Sequence, residues 1–414
     1  MFSSASLLLI LAITTAASPI VVRDNLVRLP FARRLKLTGT ASLLELDQSR
    51  ARSLKNQFRN KFNHKQLKNV LTASTFPVPV TNGVVSYTVD VQIGSPPTTY
   101  TLIVDTGSSN TWVGADPSNP YVETSTSIDT GEEVFVEYGS GLFIGEEFID
   151  TITVGNLTIP NQSIGASELA FGFDGVDGIL GLGPTDLTEG TTDDGGEVPT
   201  VTDNALTLGL IGTNQVGISF EPTTSISDVN GEIIFGGTDS SKHTGDIQFV
   251  PITSTSPASD YVGIDQTITY GTSKTPILSA TAGITDTGTT LLLIASDALA
   301  RYQTATGAVS DEDTGLLKIT SAQYANLQSL FFQIGSETFE FTANAQIFPR
   351  ALNTAIGGDA NSIYLIVGDL GSDSGEGLDF INGMSFLERF YTVFDSSNAQ
   401  FGIATTSFTT ATSN

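Results

Sequence analysis

Cysteine is absent from this chain of 414 residues, which excludes disulfides, thiolate nucleophiles and cysteine-ligated metals. Histidine is nearly absent. His64 and His243 are the full complement, enough for one Ser-His-Asp triad but not for a multi-histidine zinc site. Basic residues are few, 18 Lys+Arg against 44 Asp+Glu, giving a formal net charge of -26 and a pI of about 4.1. Nucleic acid is thereby excluded as the main partner, because phosphate binding needs clustered basic side chains. Charged residues amount to 15%, against a usual ~25%. The apolar run Leu7–Ile13 is too short to span a bilayer, which takes ~20 residues, so no membrane partner is expected. Carboxylate and hydroxyl remain as the available chemistry.

What is present is glycine, 41 residues of it, with serine and threonine throughout. A large, turn-rich, weakly charged chain of this kind reads as all-β, and its length suits two lobes of roughly 150–200 residues. Segments such as Tyr87–Ile93, Tyr100–Val104, Glu133–Glu137, Glu147–Val154 and Glu232–Phe235 are rich in β-branched and aromatic residues. Gly, Pro, Asn and Asp break them. Helical pattern is sparse; Ser296–Thr304 and Ser321–Leu330 are the candidates, each opening on a serine cap.

The charge is unevenly distributed. Between Ser18 and Ala73 twelve basic residues face three acidic ones, a local net of +9. The remainder holds six basic and 41 acidic residues, a net of −35. A basic arm ahead of an acidic body is either a solvated tail or an electrostatically held pro-segment. The run Leu7–Ile13 followed by Thr15-Ala16-Ala17 has the form of a signal peptide and favours the second. Asn156-Leu157-Thr158 and Asn161-Gln162-Ser163 are N-glycan acceptor sequences, which agree with export and an extracellular location. The expected organisation is a signal peptide over 1–17, a pro-segment over 18–73, and β lobes over 74–255 and 256–414.

An internal repeat carries the chemistry. Ile103-Val104-Asp105-Thr106-Gly107-Ser108-Ser109 recurs as Ile284-Thr285-Asp286-Thr287-Gly288-Thr289-Thr290. Each copy has an apolar-Gly partner downstream, Ile179-Leu180-Gly181 and Phe380-Ile381-Asn382-Gly383. Ile366-Val367-Gly368-Asp369 is a rival for the second, but spacing favours the Asn-containing element. Two related halves with one Asp apiece suggest a pseudo-twofold enzyme with its site between lobes. Asp129-Thr130-Gly131 and Asp313-Thr314-Gly315 share the tripeptide but sit among acidic neighbours, and read as surface turns. At Asp105 and Asp286 the flanks are apolar and a hydroxyl follows at +3. Gly107 and Gly288 admit the backbone to the carboxylates. Thr106 and Thr287 are expected to brace the loops across the lobes, and Ser108 and Thr289 to donate to the outer carboxylate oxygens. Carboxylates ~3 Å apart repel by about 5 kcal/mol at an effective dielectric of ~20 and share one proton over a wide acidic range.

These motifs resemble the pepsin-type (family A1) aspartic endopeptidases; the proton-sharing dyad of such enzymes is a standard example of coupled carboxylates. Asp177-Gly178-Ile179-Leu180-Gly181-Leu182-Gly183 and the closing Phe390-Tyr391-Thr392-Val393-Phe394-Asp395 extend the likeness over essentially the whole chain. The resemblance implies a bilobal all-β fold and a catalytic pair, Asp105 and Asp286, needing neither metal nor cofactor. It implies a flap tip at Tyr138-Gly139-Ser140-Gly141, a hydrogen bond between Tyr138 and Trp112, and apolar pocket residues Ile103 and Ile179. It further implies protein substrates with apolar residues around the cleaved bond, inhibition by pepstatin, a monomer, and a zymogen strand at Leu26-Val27-Arg28-Leu29-Pro30. Lys65 or Lys68 would pair with the aspartates before acid activation. The alternatives are a catalytically inactive pepsin-like binding or inhibitor protein, and a two-carboxylate glycosidase. Retention of both Asp-Thr-Gly motifs argues against the first; the duplicated turn and an aromatic content of 8% argue against the second.

Overall fold

A computed structural model describes residues 26–38, 41–56, 82–139 and 141–414. The signal-peptide run, Lys65, Lys68, Ser140 and the junction at 73–76 lie outside the described residues. The strands begin with β1 (Val27–Thr38) and, after helix α1 (Leu43–Asn56), continue as β2 (Asn82–Ile93), β3 (Thr98–Asp105) and β4 (Trp112–Val113). A long three-stranded meander follows: β5 (Ile128–Tyr138), β6 (Gly141–Val154) and β7 (Leu157–Phe171). Then come β8 (Gly178–Gly181), β9 (Gln215–Phe220) and β10 (Ser227–Phe235). The segments read as strands all fall within these elements. Their alternation of Val, Ile, Phe and Thr fits a pleated, half-buried surface.

One sheet has thirteen strands. β9, β10, β1, β2, β3, β8, β4, β7, β6 and β5 lie side by side in that order, and Phe390–Asp395, Gln400–Thr405 and β11 (Gln248–Pro251) extend it beyond β9. The basic arm therefore supplies an interior strand. β1 pairs antiparallel with β10 on one edge and with β2 on the other. Phe31 packs edge-on against Tyr87 (4.9 Å) and Phe220 (5.0 Å). Gly231 leaves room for that ring: a Cβ there would collide with it.

The second large sheet contains β12 (Gly263–Tyr270), β13 (Thr275–Thr285), β14 (Leu292–Ile294) and Phe380–Asn382 among its seven strands. The repeat is visible in its register. β3 runs parallel to β8, Asp105 opposite Gly181, and β4 pairs antiparallel with β8 and parallel with β7. In the second half β13 runs parallel to Phe380–Asn382, and β14 pairs antiparallel with that strand and parallel with Val367–Asp369. The Asn-containing element thus stands where Ile179-Leu180-Gly181 stands in the first half. Its polar side chain is buried but satisfied, because Asn382 and Gln266 exchange amide hydrogen bonds of 2.9 and 3.2 Å.

Two helix expectations change. Ser296–Thr306 is helical, but its cap position is Ala295, with no side-chain cap. Only Ser321–Tyr324 of the other segment is helical, capped by Thr320 in a reciprocal box with Gln323, and Leu330 already opens a strand. A capping box without a continuing apolar stripe nucleates one turn and no more.

Candidate active site

Both Asp-Thr-Gly turns leave the ends of β3 and β13 and meet head to head. The Gly107 N–H donates to Asp105 Oδ1 at 2.9 Å and the Ser108 hydroxyl to Asp105 Oδ2 at 2.6 Å. In the other turn, the Gly288 N–H donates to Asp286 Oδ1 at 2.9 Å and the Thr289 hydroxyl to Asp286 Oδ2 at 2.6 Å. The threonines cross over. The Thr106 N–H donates to Thr287 Oγ1 (3.0 Å), the Thr287 N–H to Thr106 Oγ1 (3.1 Å), and the Thr287 hydroxyl to the Val104 carbonyl (2.9 Å). Asp105 and Asp286 are buried, at 1% and 0% exposure. A Cβ on Gly107 would come within 2.7 Å of Asp286 Oδ1, and one on Gly288 within 2.7 Å of Asp105 Oδ1, so glycine is required by close approach.

A cation closes the arrangement. Arg50 of α1 donates from Nη2 to Asp105 Oδ1 at 2.5 Å, and to Asp286 from Nε at 2.6 Å and Nη2 at 2.9 Å. Burial raises the Asp105 carboxyl above its ordinary range, with the negative Asp286 adding to the rise against Arg50's pull. Burial pushes Asp286 up as well. There the charge and hydrogen bonds of Arg50, with Thr289 and Gly288, outweigh it and hold that carboxyl below its ordinary range. With α1 seated, a proton added to the pair is therefore favoured on Asp105 over Asp286.

The flap hairpin of β5 and β6 covers this centre. The Trp112 indole N–H donates to the Tyr138 hydroxyl at 2.9 Å, and both side chains are buried. Trp112 stacks flat on Phe143 at 4.3 Å and meets Phe173 edge-on at 4.8 Å. Ile103 and Ile179 join the same apolar cluster. Gly139 touches α1 closely: the Ser49 hydroxyl donates to its carbonyl at 2.5 Å, and a Cβ on Gly139 would collide with the Arg50 backbone. Gly141 abuts the Phe171 carbonyl in the same way. A cavity of about 40 Å³ remains between Arg50, Asp47, Asp105 and Tyr138. Asn156 and Asn161 are exposed on the meander, Asn161 with φ at 55°. Asp129 and Asp313 are both exposed; Asp313 sits in a surface turn as read, whereas Asp129 lies on strand β5, beside an irregularity in its pairing with β6.

A family profile described as "Eukaryotic aspartyl protease" matches residues 86–406. The chain belongs to the eukaryotic aspartyl protease family. It is an aspartic endopeptidase of the pepsin type, acting on peptide bonds of proteins, and its fold is the bilobal all-β fold of that family. Polyporopepsin of Irpex lacteus is 68% identical over 339 residues, 81% of this chain and 99% of that protein. Gastricsin of Cavia porcellus is 30% identical over 369 residues, covering 85% and 88% of the two chains. The crystal structure of the aspartic proteinase from Irpex lacteus superposes with a TM-score of 0.78 at 67% identity, over 80% of this chain and 96% of that one.

Three features of the protease escaped the sequence reading. Among the described residues the cation at the aspartates is Arg50; Lys65 and Lys68, the expected partners, lie outside them. The signal for Arg50 was available: Leu43, Leu46, Asp47, Arg50 and Leu54 fall at helical spacing behind Ser42, whose hydroxyl and N–H exchange bonds with Glu45. Asp47, one turn before Arg50, accepts from the backbone N–H groups of Thr290 (3.2 Å) and Leu291 (2.8 Å). Burial pushes its carboxyl up to about 7 in spite of those donors. Phe143 and Phe173, the ring partners of Trp112, carry no motif and are found only by packing.

Proposed function

We propose that this protease is a secreted acid endopeptidase made as a zymogen, with Asp105 and Asp286 as the catalytic pair. The observation that carries the reading is the mirrored hydrogen-bond pattern of the two buried carboxylates, each held by a glycine N–H and a hydroxyl. Asp286, the ionised member in the family's usual assignment, deprotonates a water held between the pair. Asp105 donates a hydrogen bond to the substrate carbonyl, and the tetrahedral diol collapses as a proton passes to the leaving nitrogen. Proton transfer of this kind contributes ~10²–10⁴-fold. Orientation in the cleft and exclusion of water by the Tyr138 flap contribute much of the rest. Ile103, Trp112, Tyr138 and Ile179, with Phe173, line an apolar wall that suits apolar residues at the cleaved bond.

Residues 18–73 act as the pro-segment, 74–255 and 256–414 as the lobes, and 1–17 as the signal peptide. Arg50 supports latency, since it occupies the acceptors that a substrate water would need. Asn156 and Asn161 are exposed enough to carry glycans. A monomer and inhibition by pepstatin follow from the same reading. Among the described residues no helix is long and apolar enough to cross a membrane. The test is digestion of denatured haemoglobin at pH 3–5 with and without pepstatin, alongside gel analysis of the chain itself. Pepstatin-sensitive digestion, accompanied by loss of about seven kDa near residues 73–76, is the expected result. An intact precursor after acid incubation contradicts self-processing; absence of digestion contradicts the catalytic pair.

A further inference from the structure

Besides Arg50, the basic arm makes charged contacts with the body that the chemistry does not use: Arg28 of β1 with Asp239 at 2.7 Å, Lys55 of α1 with Glu376 at 3.0 Å, and Arg33 of β1 with Glu388, the one pair buried on both sides. Arg33 and Glu388 are buried, at 2% and 5% exposure, with Arg33 Nε 3.6 Å from Glu388 Oε1. Arg33 Nη1 donates to the Thr223 carbonyl at 2.9 Å. Tyr87, directly opposite Arg33 in the β1–β2 ladder, donates its hydroxyl to the same Glu388 oxygen at 3.1 Å. Asn230 of β10 in turn donates to the Tyr87 hydroxyl at 3.2 Å. Arg389, the neighbouring cation, gives its Nη1 to the carbonyls of Phe408 and Ala411, at 3.2 and 2.8 Å.

A buried carboxylate is tolerated when a cation and hydrogen-bond donors compensate it, and becomes costly when one partner is removed. Arg33 lies before the proposed processing region and Glu388, Tyr87 and Asn230 lie after it. Cleavage followed by departure of the arm therefore separates the ion pair. The new N-terminal stretch cannot replace the lost charge, because no Lys or Arg occurs between Ala73 and Lys242.

We propose that Glu388 is the body's buried docking residue for the pro-segment strand. Arg33 neutralises it in the full chain, and processing leaves the mature body with a buried carboxylate short of its cation. The pro-segment is then a stabilising partner of the central sheet as well as a plug for the cleft. This inference rests on the zymogen reading above.

Thermal unfolding near pH 6.5 tests it in two arms. In the unprocessed full chain, Arg33→Met and Glu388→Gln each lower Tm by about 2–4 °C. The double variant loses clearly less than the sum, since the two side chains interact. Arg33→Lys, which keeps the charge, retains most of the stability and guards against a misfolding Met variant. In the acid-processed enzyme, Glu388→Gln raises Tm by about 2 °C, opposite in sign to its effect on the full chain. Additive single effects, or a fall in Tm in both forms, overturn the proposal. If acid leaves the chain intact, the zymogen reading fails, and the full-chain cycle still decides whether Arg33 and Glu388 are coupled.

Discussion

The Asp105 and Asp286 turns have matching internal hydrogen bonds, distance for distance, and yet their carboxyls shift in opposite directions. The difference comes from outside the turns. Arg50 gives two hydrogen bonds to Asp286 and one to Asp105, so the helix of the basic arm breaks a symmetry that the repeat creates. The lesson is that a duplicated motif supplies a matched pair, and a third group decides which member holds the proton.

The most severe way to break the comparison is to remove one member. Asp105→Asn or Asp286→Asn lowers haemoglobin digestion by at least about 10⁴-fold while leaving the fold intact, as seen by unchanged circular dichroism. Arg50→Met removes the group that breaks the symmetry. Loss of one partner from a buried ion pair costs about 3–5 kcal/mol, so α1 seats far less firmly. The uncleaved variant is then expected to hydrolyse a short fluorogenic peptide at pH 5, where the proposed zymogen should not. Ser108→Ala and Thr289→Ala sharpen the comparison, because each removes the donor to one outer oxygen. Each is expected to reduce kcat by about tenfold, and the two reductions should be alike if the turns are equivalent. Asp129→Asn and Asp313→Asn, in the decoy copies of the tripeptide, leave kcat/KM unchanged within about twofold.

The smallest effect concerns Asp47. Its carboxyl is raised to about 7 when α1 is seated. A raised value means that protonation favours the seated form: the contribution is fully present below the ordinary carboxyl range and is lost as pH rises through about 7. Asp286 behaves oppositely, because a lowered value makes its hold on Arg50 present above the ordinary range and lost as pH falls through the depressed one. Protonation of carboxylates at the contact between arm and body is therefore not uniformly a release signal. Between about pH 4 and 7 Asp47 tightens the arm, and release waits for the Arg50 contact to weaken below that. Asp47→Asn is expected to reduce the difference in Tm between pH 5 and pH 8, measured on the full chain.

Much of this was legible in the sequence because it depends on local pattern. Flanking residues separated Asp105 and Asp286 from Asp129 and Asp313, since only an apolar setting makes a buried carboxylate necessary to explain. Spacing chose Ile381-Asn382-Gly383 over Ile366-Val367-Gly368, and the parallel register bears that choice out. What failed needed distance information. Asn382 is acceptable in its apolar place because Gln266, 116 residues away, answers both ends of its amide. Arg50 was one of twelve basic residues in the arm, and only the docking of α1 distinguishes it from the rest. The interior position of β1 was equally hidden, because strand propensity does not say which edges a strand will join.

On the proposed mechanism Asp105 and Asp286 act as one unit. The most direct test is the rate of haemoglobin digestion at pH 3–5 by Asp105→Asn, Asp286→Asn and the double variant, each supplied in a processed form. The double variant should be no slower than either single one, because removal of either member already abolishes the pair. Full activity in either single variant, or losses that multiply in the double one, would contradict it.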